Sequence, residues 1–246
     1  QPTDTIQIDE TYHYRLRSDA ANLELRYEDN SNRNYISNRF TMDGEINHGR
    51  SEELRQTLRT SRLSAGNYFN LIRNRENSTW EFSSATQYAY QPASLLLEEG
   101  KSKFNQHSFY TDNSAAYLRK YNGFTQQYKA GIQGERATMK YIPPTQPNDF
   151  NASNLSLYFN PYFQLQRGKW LATLSLPLKA QRYFSQQRSF LFFNPSTYLR
   201  YKLDYHWTFS LYGSLKRSAG DFSDLYPGLY QTDYRTWRSG NGLFPT

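Results

Sequence analysis

The stretch KWLATLSLPLKA, Lys169 to Ala180, decides the fold class. Trp170, Ala172, Leu174, Leu176, Leu178 and Ala180 are apolar, and most residues between them are polar. A helix would gather Trp170, Leu174 and Leu178 on one side and throw Ala172 and Leu176 toward the other. It would also bury Pro177 in its interior, where the ring removes a hydrogen bond and clashes with the preceding turn. A strand accommodates the alternation, because successive side chains point to opposite faces. Pro177 then marks a bulge or the end of that strand.

The same two-residue period recurs along the chain. Leu155, Leu157, Phe159, Pro161, Phe163 and Leu165 share one phase, and Trp207, Phe209, Leu211, Gly213 and Leu215 share another. Leu199, Tyr201, Leu203 and Tyr205 alternate with Arg200, Lys202 and Asp204. Nearer the start, Leu23, Leu25 and Tyr27 oppose Glu24, Arg26 and Glu28, and Ile36, Phe40, Met42 and Ile46 form a further run. Weaker versions cover Leu63 to Leu71, Trp80 to Tyr90 and Phe124 to Gly134. Roughly ten strands result, the density of an all-β chain. SEELRQTLR (Ser51 to Arg59) has a capping serine and leucines four apart, which suits a short helix, but it also alternates and is read as strand.

The 246 residues are compatible with one large β domain. Cysteine is absent, which excludes disulfides and thiolate metal sites. No apolar run approaches the roughly 20 residues of a transmembrane helix. Any secretion leader is expected to have been removed or to lie outside this chain. Aromatic residues reach 17%, with 22 Tyr and 16 Phe, although mean hydropathy is only −0.89. The charge is +7, but the basic residues are dispersed, so no nucleic-acid partner is expected.

Sorting charge by strand phase is more telling. The apolar phases carry no charge over the runs above, whereas the opposite phase holds Glu24, Arg26, Arg39, Asp43, Glu45, Arg62, Glu81, Lys129, Lys169, Lys179, Arg200, Lys202 and Asp204. A soluble β-sandwich also alternates. Length tilts the reading, since Leu155–Leu165 and Trp170–Ala180 each span 11 residues, enough for a tilted strand to cross a bilayer. Trp80, Tyr88, Tyr90, Trp170, Tyr183, Phe190 and Trp207 fall near strand ends, as in the aromatic girdles of membrane barrels. Long connections, Ile142–Asn154 and Phe184–Ser189, alternate with a tight one at Arg167-Gly168. The expected fold is therefore an all-β, antiparallel transmembrane β-barrel with outer-membrane lipid against its apolar face, closed because open edges are costly in lipid.

GDFSDLYPGLYQTDYRTWRSGNGLF (Gly220 to Phe244) resembles a stretch of the large TonB-dependent outer-membrane receptors of the Bacteroidetes type, through Gly220, Asp221, Leu225, Tyr226, Gly228, Tyr230, Tyr234 and Arg235. NLELRYEDN (Asn22 to Asn30) and LATLSLPLKAQRY (Leu171 to Tyr183) are similar to the same family. The resemblance implies a bacterial outer-membrane location and a contiguous part of a 22-stranded barrel, residues 1–246 forming a single barrel region without its N-terminal plug. It also implies nutrient import driven through TonB, a plug domain in the lumen and a surface lipoprotein partner. The alternatives are a small complete porin-like barrel of 10–12 strands and a soluble surface β-sandwich binding protein.

No enzyme activity, cofactor or metal site is expected. His13, His48, His107 and His206 lack ligand spacing, and Ser108 beside His107 lacks a third orienting group. Asn77 and Asn151 begin glycosylation-type triplets and are read as exposed loop positions. The ligand-binding candidates are loop tyrosines, Tyr226, Tyr230 and Tyr234, which offer stacking surfaces for a sugar or peptide, and the Pro/Asn-rich segment Ile142–Asn154.

Overall fold

A computed structural model describes residues 14–51, 56–97, 100–142, 148–218, 229–231 and 237–239. The chain forms an antiparallel meander. Its strands are β1 (Tyr14–Ser31), β2 (Asn34–Ser51), β3 (Gln56–Arg75), β4 (Ser78–Leu97), β5 (Gly100–Tyr121), β6 (Phe124–Ile142) and β7 (Asn148–Arg167). There follow β8 (Trp170–Ser175), β9 (Leu178–Tyr183), β10 (Arg188–Phe193), β11 (Ser196–Lys202) and β12 (Thr208–Ser214), while β13 (Leu229–Gln231) and β14 (Trp237–Ser239) make a separate hairpin. Strands β1 to β7 pair in sequence order, β7 pairs with both β8 and β9, β8 pairs with β11 and β9 with β10, and β11 pairs with β12; among the described residues β1 at one side and β10 and β12 at the other have unpaired edges. The sheet does not close, so it is a partial barrel wall.

β8 and β9 are two halves of one crossing, since both pair with β7. The register does not slip between them: Tyr162 faces Ser175 and Phe159 faces Leu178. Pro177 is therefore neither a bulge nor a strand end. It interrupts the ladder only because it has no N–H to donate. Pro161 and Pro195 do the same on the flanking strands, and each proline carbonyl still accepts a bond, from Leu176, Asn194 and Leu215 at 3.0 Å. β10 and β11 are likewise one crossing, interrupted at Asn194 and Pro195.

One end of the sheet holds two-residue turns at Asn32-Arg33, Glu76-Asn77, Asn122-Gly123 and Gly168-Lys169. Gly123 is required at its turn: its φ is +74°, and a Cβ would lie 2.2 Å from the Gln166 carbonyl oxygen. The last of these turns sits one residue beyond the expected Arg167-Gly168, because Arg167 pairs with Trp170. Lys169 is thus a turn residue rather than an inward-facing one, and its ammonium donates to the Leu203 carbonyl. At the far end, the expected long connections are mostly strand. β6 runs to Ile142 and β7 starts at Asn148, which puts Asn151 within a strand, and Phe184 to Gln187 is a four-residue turn.

All the apolar phases fall on one face of the sheet, called here the outer face. Nothing among the described residues covers it: Leu191 is 75% exposed and Leu211 67%. A soluble sandwich would bury such a face under a second sheet. Charges on the outer face lie only at its two ends. Asp29, Arg73, Arg75, Arg119 and Arg167 stand near the turns, and Asp19, Arg59, Lys103, Arg136 and Arg182 stand toward the far end.

The uncharged band climbs steadily across the sheet. One hydrogen-bonded row runs from Tyr27 on β1 through Phe69, Asn113 and Leu157 to Leu191 on β10. Tyr27 is the turn-end limit of its apolar run, whereas Leu191 is the far-end limit of its own. The band has moved by about ten residues in eight strand steps, close to one residue per strand. With a rise of about 3.3 Å per residue and strands about 4.8 Å apart, this is a tilt of roughly 41°, within the range of closed barrels.

Candidate functional site: the inner polar face

The opposite face is concave and polar. Arg26, Arg39, Glu81, Asp112 and Lys129 converge on a recess of about 410 Å³, and Asp43, Arg62, Ser64, Gln87 and Tyr110 line a second of about 400 Å³. Tyr68 borders both. Strand periodicity alone delivers these side chains, since each sits one residue out of phase with the outer band. All the charges assigned from sequence to the inward phase of β1–β6 are on this face, from Glu24 to Lys129.

Neighbouring strands hold these groups by hydrogen bonds. Glu28 accepts from the Arg26 guanidinium at 2.5 Å and from the Tyr35 hydroxyl at 2.7 Å. The Arg39 guanidinium lies 4.8 Å from the centre of the Tyr68 ring, and Gln87 donates to the Tyr68 hydroxyl. Asp112 accepts from the Tyr158 hydroxyl at 2.7 Å and from Tyr110 at 3.4 Å. Glu135 accepts from Asn154 at 3.2 Å, and Lys179 donates to Gln133 at 3.1 Å.

Tyr158 reaches Asp112 by crossing an intervening strand. Gly131, its register partner on β6, makes room: a Cβ there would lie 2.5 Å from the Tyr158 ring and 2.7 Å from the Asn113 carbonyl oxygen. This brace was not readable from sequence. A glycine facing inward on a strand was its signal, because such a glycine marks a close approach.

Toward the far end the inner face turns apolar. Ala137, Met139, Ala152 and Tyr183 are buried there, with Phe104, Phe150 and Phe190 against them. Tyr183 and Phe190, expected in an outer aromatic girdle, face inward, and their rings meet edge-on at 5.9 Å. Trp80, Trp170 and Trp207 do lie on the outer face near the turns, at 51%, 48% and 61% exposure.

The other candidates separate. His107 is on the outer face, where its Nδ1 meets the Tyr88 hydroxyl at 2.8 Å, whereas Ser108 points inward, so the two form no unit. His48 is also outward and His206 lies in the β11–β12 turn. Tyr230 is in β13, paired with Arg238. Tyr226 and Tyr234 lie outside the described residues, as does His13.

No family model matches the sequence, and no curated protein matches it. Solved structures do. BauA, the ferric preacinetobactin receptor from Acinetobacter baumannii, superimposes with a TM-score of 0.55 at 10% identity, over 77% of this chain and 38% of that one. The chain has the fold of an outer-membrane β-barrel wall. It spans 38% of the length of BauA. The ferric citrate transporter FecA in its unliganded form gives a TM-score of 0.38 at 10% identity, over 84% of this chain and 44% of the other. The barrel wall thus has a lipid side, the outer band, and a lumen side, the recessed polar face.

Proposed function

We propose that this wall is part of a TonB-dependent outer-membrane receptor that imports a nutrient ligand and carries out no chemistry of its own. The observation that carries this reading is the inner face. It combines charges of both signs, tyrosines and amides already braced by cross-strand bonds, as suits a lumen that docks a plug domain rather than one left as a bare water channel. The Bacteroidetes-type subfamily follows from the resemblance of Gly220–Phe244, together with TonB as energy source and a surface lipoprotein as partner. BauA is a ferric preacinetobactin receptor, and a metal chelate therefore stands beside oligosaccharide and peptide as a ligand class.

The test is conductance of the natural full-length protein in planar bilayers, with ligand uptake measured in cells with and without TonB. A plugged receptor stays closed, opens a large conductance when its plug is deleted, and loses uptake without TonB. Steady conductance in the intact protein, or uptake indifferent to TonB, would replace this reading with a passive porin.

A further inference from the structure

Basic side chains stand on both faces, and those of the outer face lie toward its two ends. Around the turns they include Arg73, Arg75 and Arg119, all exposed and none in an ion pair among the described residues. Their arrangement is set by register. Arg75 on β3, Ser78 on β4 and Arg119 on β5 form one hydrogen-bonded row, so two guanidiniums flank a hydroxyl. Strands about 4.8 Å apart put the two arginine Cα atoms about 10 Å from each other. That span suits one phosphate held by two forked donors.

The next row toward the membrane centre is Arg73, Trp80 and Tyr117, in the same strand order. The Trp80 and Tyr117 rings pack at 4.7 Å, and the Arg119 guanidinium lies 4.6 Å from the centre of the Tyr121 ring. Aromatic rings of this kind settle at the boundary between headgroups and hydrocarbon. The guanidiniums therefore stand at headgroup depth, just beyond the uncharged band.

We propose that Arg75, Ser78 and Arg119, with Arg73 beside them, form a seat for the phosphate of an anionic phospholipid headgroup. Trp80 and Tyr117 form its apolar floor against the upper acyl chains. The choice of an anionic lipid rests on charge: three guanidiniums outside any ion pair among the described residues face one row of headgroups, against the acidic side chains of Glu76 in the β3–β4 turn and Asp29 on β1. Cationic side chains at such a surface favour anionic lipid by about 1 kcal/mol each, or about five-fold in binding.

Trp80 makes the seat observable. The full-length protein is reconstituted in phosphatidylcholine vesicles, and its tryptophan fluorescence is quenched with brominated phosphatidylglycerol or brominated phosphatidylcholine. The expected result is stronger quenching by phosphatidylglycerol, a preference that weakens in high salt and falls in Trp80→Phe, where Trp170 and Trp207 still report. The double variant Arg75→Gln/Arg119→Gln should lower the preference at least about five-fold. Arg39→Gln, on the lumen face, should leave it unchanged, and heat-modified electrophoretic mobility reports folding of each variant. Equal quenching by both lipids, a preference retained without Arg75 and Arg119, or one undiminished in Trp80→Phe would each overturn the proposal.

Discussion

Two regions of the outer face share hydrogen-bonded rows and are built differently. On β7 to β12 the band is apolar almost throughout, from Leu155, Leu157 and Phe159 across Leu174 and Leu178 to Leu199 and Leu211. On β2 to β5 the same rows carry Asn38, Asn67, Ser84, Thr86, Thr111 and Asn113. Ser84, Thr86, Thr111 and Asn113 partner one another across and along the strands, whereas the buried Asn38 Oδ1 has no partner among the described residues. Ser84 donates to Asn113 at 2.7 Å, Asn113 donates to Thr111 at 3.1 Å, and Thr86 meets Thr111 at 3.4 Å. The difference teaches that polar atoms can stand on the lipid side of a membrane sheet where most of them are satisfied within the sheet, the cost lying in an unmade bond such as that of the Asn38 Oδ1.

The largest effect should come from a charge at mid-band in the apolar region. Leu174→Arg is expected to cost about 2–4 kcal/mol, and Ser175→Arg, on the lumen face, far less. Urea unfolding in lipid vesicles measures both, and equal costs would break the assignment of faces. A lone amide is the next step down. Leu157→Asn, in the same row as Asn113 but without a partner, should cost about 1–3 kcal/mol.

A stabilising change comes next. Pro177 forms only one of the two bonds its pair with Asn194 would allow, which leaves the Asn194 carbonyl without its ladder donor. Pro177→Ala restores the N–H and should add about 0.5–1.5 kcal/mol, read as a higher urea midpoint. The smallest effect belongs to the polar region. Replacing both partners, Ser84→Ala with Asn113→Leu, should change stability by less than about 1 kcal/mol. A large loss there would mean that those side chains serve more than each other.

The contrast also shows where sequence reading succeeds. Inside the band one face meets lipid and the other a polar lumen, so alternation is strong, and Leu155–Leu165 and Trp170–Ala180 reveal strand, face and tilt at once. Beyond the band both faces are polar and the period fades. β7 therefore begins at Asn148, inside a stretch that reads as loop, and β5, 22 residues long, has no counterpart among the runs that read as strand. Apolar residues at the far end of the lumen, such as Tyr183 and Phe190, invert the rule locally, which is why they looked like girdle positions. Most inward charges of the candidate site, Asp112 and Glu135 excepted, were legible residue by residue. Their convergence was not, because register is a relation between strands: nothing in the run around Tyr158 shows that Asp112 lies two strands away.

Among the described residues β1 on one side of the sheet and β10 and β12 on the other keep unpaired edges. In water such an edge is only adhesive, but in hydrocarbon every unmet amide and carbonyl costs several kcal/mol. The order of events during biogenesis is thereby constrained. This wall cannot settle into lipid first and await its missing circumference, so ring closure and membrane entry must proceed as a single coupled step, with the two bare edges as the joints that finish the ring.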